Sequence, residues 1–242
     1  MLVVHGFPSL GPQLTSPSPF CLKLECWLHL AGIPFEARGD YNPFAAPKGK
    51  APYITTEDGR VLADSSHIIE TLTAEHGVQL DAHLDPEAMA RALLLQRTIE
   101  DHLYFCLLHD RWIRDEGFAI LRRAYFVTMP WPMRVILPLV ARRKVRASNF
   151  GQGTSRHSDA QVWAAAIADL DAVAILLGDD AYFGGEQPAT IDAIVYGALA
   201  NIAFGPFPGP LQEALARHPN LLAWLERVFA RTFGAAAAGA AA

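Results

Sequence analysis

Ser16-Pro17-Ser18-Pro19-Phe20-Cys21 decides how the first third of the chain is read. Ser18 is a favourable N-cap, because its hydroxyl can accept from first-turn N–H groups that have no helical partner. Pro19 suits the first helical position, where a missing N–H costs nothing. Gly32 and Pro34 mark the stop, and Phe20, Leu24, Trp27, Leu28 and Ala31 recur between them at three- and four-residue steps. The spacing predicts a helix with one core-facing stripe. A β-branched run, Leu2-Val3-Val4-His5-Gly6-Phe7, precedes it, and Phe35-Glu36-Ala37-Arg38 follows. In that β-α-β order the helix N-terminus emerges at the carboxyl end of the first strand. A thiol, alkoxide or bound thiolate placed there meets a partial positive charge. A serine that does no more than cap the helix accounts for the same spacing.

Working outward, Gly39 to Pro47 reads as a loop, and Lys48-Gly49-Lys50-Ala51-Pro52-Tyr53-Ile54 leads into a strand. Proline donates nothing to a ladder, so Pro52 either opens that strand or makes a cis turn. Glu57-Asp58-Gly59-Arg60 reads as a hairpin turn returning into Val61-Leu62-Ala63. Asp64-Ser65-Ser66 then caps a second helix carrying Ile68, Ile69 and Leu72 and ending at Gly77. After a linker, Asp85-Pro86 breaks the chain, and no strand pattern follows. The expected helices are Pro86 to about Trp112, Phe118 to Thr128, an interrupted one in Met133 to Arg146, and one to Leu177 opened by a Ser158–Gln161 capping box. Gly151 to Thr154 reads as a loop. A nearly all-apolar helix, Thr190 to Asn201, implies burial on every side, and two short helices split by Pro219 close the chain. The expected division is an α/β domain at 1–77, an all-α domain at 86–233, and an Ala/Gly tail at 234–242 expected to be disordered.

The chain has 242 residues, 51% hydrophobic and 19% charged, which is ample for a core and excludes a disordered protein. A net charge of −5 gives no reason to expect nucleic acid or an anionic membrane as a partner. Cys21, Cys26 and Cys106 form neither a zinc spacing nor an even disulfide framework, and nine histidines supply no ligand pair, so no metal is expected. With no signal-peptide pattern at the N-terminus, a reducing, cytoplasmic location is expected. Phe126 to Ala141 is apolar but short and holds Pro130, Pro132, Pro138 and Arg134, so no transmembrane segment is expected. The basic run Arg142-Arg143-Lys144-Val145-Arg146 reads as a solvated helix end in preference to a membrane contact.

Three segments carry a resemblance: Ser18-Pro19-Phe20-Cys21, Lys50-Ala51-Pro52-Tyr53-Ile54, and Leu62-Ala63-Asp64-Ser65-Ser66-His67-Ile68. Together they resemble the glutathione S-transferase superfamily, with its thioredoxin-like N-terminal domain followed by an all-α C-terminal domain. Phe20-Cys21-Leu22-Lys23-Leu24-Glu25, Arg142-Arg143-Lys144-Val145, Gly151-Gln152-Gly153 with Arg156-His157-Ser158, and Gly184-Gly185-Glu186 with Thr190-Ile191-Asp192-Ala193 are similar to the branch that includes metaxins and the failed-axon-connections proteins.

The resemblance implies glutathione as co-substrate, an apolar small-molecule electrophile as second substrate, and a homodimer through the first domain. It implies that Ser18 donates to the glutathione thiolate, with Ser16 or Thr15 as alternates because the loop before the helix is long. Asp64 and Ser65 would hold the γ-glutamyl end, the Ala51 backbone at Pro52 the cysteinyl peptide, and Lys50 or Lys48 the glycyl carboxylate. Glutaredoxin-like members have Cys where this chain has Ser18, and Cys21 stands where a dithiol member has its second cysteine. Cys21 reads as a packed thiol, with a thiol reductase using it as a lesser alternative. Ala189 replaces the expected capping Thr, leaving Thr190 or Asp192 alone to close that helix. Tyr104, Phe105, Trp112 and Tyr125 are expected to line the inter-domain cleft. A non-catalytic adapter, as metaxin-like proteins are, is the reading from another class.

Overall fold

The structure, a computed structural model, describes residues 1–127 and 129–234. β1 (Leu2–His5) turns Leu2 and Val4 into the core, as its β-branched alternation requires. It pairs in parallel with β2 (Phe35–Arg38) and antiparallel with β3 (Tyr53–Thr55), which pairs antiparallel with β4 (Val61–Ala63). The order is β2-β1-β3-β4, with His5 opposite Tyr53 and Tyr53 opposite Ala63. The carboxyl ends of β1 and β4 and the amino end of β3 therefore meet at one edge. Both α1 (Pro19–Leu30) and α2 (Ser65–His76) begin at that edge. α2 ends on Gly77 at φ 61°, a left-handed backbone that glycine adopts without a Cβ penalty.

One stripe of α1 was expected to be buried, yet every residue from Cys21 to Leu28 is, Lys23 and Glu25 included. The cause is α8 (Thr190–Ala203), which lies along the face of α1 turned away from the sheet. Trp27 Nε1 donates to Thr190 Oγ1 at 3.2 Å across this seam. A Cβ on Gly197 would stand 2.3 Å from the Pro19 carbonyl oxygen, so only glycine allows so close an approach. α8 itself is buried from Ile191 to Ile202, as its apolar composition implies.

α3 (Pro86–Arg97) and α4 (Tyr104–Leu108) form one continuous rod, joined by wide π turns at Thr98–Leu103 and closed by another at His109–Ile113. The sequence reading has its extent right and gives no sign of the wide turns. α5 (Asp115–Tyr125) starts earlier than expected, with Asp115 and Glu116 favourably placed against its N-terminal dipole; its expected end, Thr128, lies outside the described residues. α6 (Met133–Gln152) runs through Pro138 and past Arg146, taking in Gly151, which had read as loop. Asn149 Nδ2 donates to the Phe105 carbonyl at 2.9 Å and Gln152 Nε2 to that of Asp101 at 3.1 Å, so contacts with the rod override the weak helix propensity there.

α7 (Asp159–Leu177) opens with the expected capping box and is followed by α8, α9 (Pro210–Ala216) and α10 (Pro219–Thr232). Among the described residues α7 is the one helix long and apolar enough to cross a membrane by length and composition. Its buried stripe, Val162, Ala166, Leu170, Val173 and Leu177, packs toward α9 and α10. One contiguous core runs from Leu2 to Phe233 through both halves of the chain. The Ala/Gly tail falls outside the described residues from position 235 onward.

Candidate functional site

The edge where α1 and α2 begin gathers the candidate site residues. The Ala51–Pro52 peptide is cis and Pro52 is buried, directly before Tyr53, whose ring stacks on His5 with centroids 4.5 Å apart. Opposite it, Asp64 follows Ala63 with φ 83° and ψ 116°, and is the one described non-glycine residue with a left-handed φ. Such a backbone costs on the order of 1–3 kcal/mol and recurs at ligand clamps. Asp64 Oδ1 accepts from the N–H groups of Ser66 (3.1 Å) and His67 (3.4 Å), while Oδ2 lies 3.6 Å from Lys48 Nζ. Ser65 is 6% exposed, and its hydroxyl makes no hydrogen bond among the described residues. Lys50 and His67 are exposed, and Lys50 has no ion pair among the described residues.

Behind Ser65 lies a buried polar knot. Lys23 Nζ pairs with Glu100 Oε1 at 2.6 Å and donates to Ser66 Oγ at 2.9 Å. Gln96 Nε2 donates to Glu100 Oε2 at 2.8 Å and to Ser66 Oγ at 3.3 Å. This knot ties α1, α2 and the rod together beneath the site. In the sequence Lys23 and Glu25 stand only as letters of the Phe20–Glu25 motif, outside the expected core-facing stripe.

The three candidate hydroxyls differ sharply in setting. Thr15 Oγ1 donates to Glu25 Oε2 at 2.5 Å, and burial pushes the Glu25 carboxyl up to about 7. Ser16 is fully buried, its Oγ accepting from Ser18 N–H at 3.3 Å. Ser18 is half-buried at the N-cap of α1, where Oγ accepts from Cys21 N–H at 3.4 Å and leaves its own proton unassigned. Cys21 is fully buried, and burial pushes its thiol up to about 12, against hydrogen bonds from Ser18 and Ser16 that act the other way. A thiol held so high is not a nucleophile near neutral pH.

The 16–18 loop is fastened from the helical half. Arg111, 5% exposed, donates from Nη1 to the Pro17 carbonyl (3.3 Å) and Asn201 Oδ1 (3.0 Å), and from Nη2 to the Asn201 carbonyl (2.6 Å). Asn201 Nδ2 in turn reaches the Ser16 carbonyl at 3.4 Å. Neither residue was singled out from the sequence, although an asparagine inside an apolar helix was a readable sign.

Of the expected cleft aromatics, Tyr104 meets Phe20 edge-on at 4.8 Å, and burial pushes its phenol up to about 12. Tyr125 and Trp112 belong instead to a satellite cluster with Phe118, Leu121 and Phe207. The space enclosed by Phe20, Lys23, Tyr104, Ile194 and Ala198 amounts to about 10 Å³. A concavity of about 470 Å³ lies at the other end of α1, and its one titratable lining residue is His76. His102 pairs with Asp169 and buried His109 sits between Ser155 and Asp159, and no three metal-ligating side chains converge among the described residues. Asp192 closes α8 together with Asp81: Asp192 accepts from the N–H groups of Phe183, Gly184 and Ala189 and from Trp224 Nε1, Asp81 Oδ1 accepts from the Thr190 N–H at 2.6 Å, and the Thr190 hydroxyl serves Trp27.

Two family profiles match the chain: the glutathione S-transferase N-terminal domain over residues 19–117, and the glutathione S-transferase C-terminal domain over 166–228. The chain is 34% identical over 240 residues to the isoprene-epoxide–glutathione S-transferase of Rhodococcus sp. (strain AD45), spanning 94% of this chain and 98% of that protein. The chain belongs to the glutathione S-transferase family. Other relatives of this transferase-family chain lie in the branch its motifs resemble. It is 26% identical over 240 residues to Failed axon connections of Drosophila melanogaster (93% of this chain, 56% of that one). Metaxin-1 of Mus musculus is 26% identical over 215 residues (86% and 68%). A solved glutathione S-transferase from Methylobacterium radiotolerans, in complex with glutathione sulfonate, shares the fold at a TM-score of 0.58 and 22% identity, covering 97% of this chain and 94% of that one.

Proposed function

We propose that this glutathione S-transferase family member is a catalyst that holds glutathione as its thiolate at the start of α1 and delivers it to an apolar electrophile. The observation that carries the reading is Asp64, held in a left-handed backbone directly before Ser65, whose hydroxyl has no partner among the described residues. A bare helix cap has no need of that strain, whereas a clamp for a ligand's charged end does. In this reading Asp64 takes the α-amine, Ser65 takes the γ-glutamyl carboxylate through its hydroxyl and N–H, and the Ala51 backbone pairs with the cysteinyl peptide. Lys50 takes the glycyl carboxylate, since Lys48 already faces Asp64. Ser18 donates its hydroxyl proton to the thiolate, stabilising the anion together with the helix dipole. The sulfur attacks a carbon of the electrophile; with a strained epoxide, as in the name of the Rhodococcus relative, a C–O bond breaks and the oxygen takes a proton from solvent. We further propose a cytoplasmic two-fold dimer through residues 1–77, which light scattering reads directly.

A non-catalytic adapter is the second reading, favoured by the closure of the space between Phe20 and Tyr104 to about 10 Å³. Calorimetric titration with glutathione separates the two: saturable binding by wild type that Ser65→Ala weakens supports the transferase. No binding by wild type supports the adapter.

A further inference from the structure

We propose that residues 122–146 seat the protein on an anionic lipid membrane. The first turns of α6 are exposed apart from Pro138: Met133 to Leu137 together with Leu139 and Val140, with Trp131 just before them. Trp131 is 74% exposed and Ile136 56%, values that belong to side chains with nothing packed over them. This surface is held out by a firm root. Arg142 donates to the Trp112 and Ile113 carbonyls and to Asp115, and its guanidinium lies 4.2 Å above the Phe118 ring.

Charge is segregated onto the same stretch. Between Arg122 and Arg146 the sequence holds seven Lys/Arg and no Asp/Glu, which leaves 13 Lys/Arg against 25 Asp/Glu elsewhere. The overall charge of −5 averages over this separation and hides it. Arg142 and Arg146 reach Asp115, whereas Arg122, Arg123, Arg134, Arg143 and Lys144 are exposed and have no ion pair among the described residues.

These two observations together select the occupant. A second copy seated on this face by a two-fold axis would bring the same uncompensated cations together, which opposes the contact. A folded partner's groove takes one face of a helix, and here every position from Met133 to Val140 except Pro138 is bare. The headgroup–acyl boundary of a bilayer accepts apolar side chains from every side while lipid phosphates meet the flanking cations. Arg134 reaches back to the headgroups along its aliphatic stem.

Sedimentation with vesicles of phosphatidylcholine alone, and of phosphatidylcholine with phosphatidylserine, tests the proposal on the whole chain. Wild type is expected to sediment with the anionic vesicles only, and less so as salt is added. Arg143→Glu with Lys144→Glu should lower the partition coefficient at least about twenty-fold, at about five-fold for each cation lost near the surface. Ile136→Asp with Leu139→Asp should abolish it at an unchanged melting temperature, since both side chains are exposed. Equal partition to both vesicles, no partition to either, or normal partition of the aspartate variant overturns the proposal. So does a light-scattering result in which the aspartate variant splits a dimer, because the face would then be an interface between copies.

Discussion

Arg111 Nη1 donates to the carbonyl oxygen of Pro17 at 3.3 Å, which fastens the residue before Ser18 to the helical half of the chain. The guanidinium is buried, and the acceptors around it are neutral, the carbonyls of Pro17 and Asn201 and the Asn201 side chain. Removing one acceptor from a buried cation is costly. Asn201→Ala should destabilise the fold by roughly 1.5–3 kcal/mol, the range for a hydrogen bond to a charged group. Glutathione turnover should fall as well, because the 16–18 loop loses its tie. Urea unfolding beside kinetics checks both, and a variant as stable as wild type would remove the clamp.

Ser18→Ala should lower glutathione turnover by roughly one to three orders of magnitude, as expected for one donor lost from an anion. Ser16→Ala and Thr15→Ala should act on stability more than on turnover, since Ser16 is fully buried and Thr15 is engaged with Glu25. Steady-state kinetics on all three decides the register. A fully active Ser18→Ala beside a dead Ser16→Ala would move the donor.

Ser65→Ala separates a clamp from a cap. Asp64 supplies the cap to α2, so the melting temperature should hold. If Ser65 bonds the γ-glutamyl carboxylate, affinity for glutathione drops about ten- to a hundred-fold. Unchanged affinity in a titration of the variant would leave Ser65 without that role.

Glu25 gives the fold a pH dependence of definite sign. Burial raises its carboxyl from 4.5 to about 7, so the native state holds this proton more tightly than the unfolded chain does. Its stabilising effect is therefore full below pH 4.5 and is lost as pH rises through about 7, a difference of about 3 kcal/mol. Glu25→Gln keeps an oxygen for Thr15 and cannot ionise. Melting curves across that window should converge or cross: the variant gains on wild type as pH rises. A constant gap between the two would mean that Glu25 does not titrate there.

Much of this was legible in the sequence. Caps and breakers with strong local chemistry, such as Ser18-Pro19, Pro52, Asp64 before Ser65, Gly77 and the Ser158–Gln161 box, fell where the structure has them. What stayed hidden depends on partners distant along the chain. The periodicity of α1 named one face, and the second is buried only because α8 arrives there. The π turns at Thr98–Leu103 leave no compositional mark, and Gly151 looks like a loop until Asn149 and Gln152 are seen bonded to the rod. Arg111 and Asn201 act through contacts some ninety positions apart, which no local pattern announces.

The sharing of α1 between the sheet and α8 governs how this chain comes into being. Residues 1–77 alone would leave Trp27 without Thr190 and Lys23 without Glu100, so the first third would keep a helix face uncovered. A nascent chain leaving the ribosome must wait, incomplete, until Thr190–Ala203 has emerged to cover that helix. Heat should meet the same arrangement in reverse: because the two halves share one core, a single unfolding transition is expected in place of two separated at Asp85-Pro86.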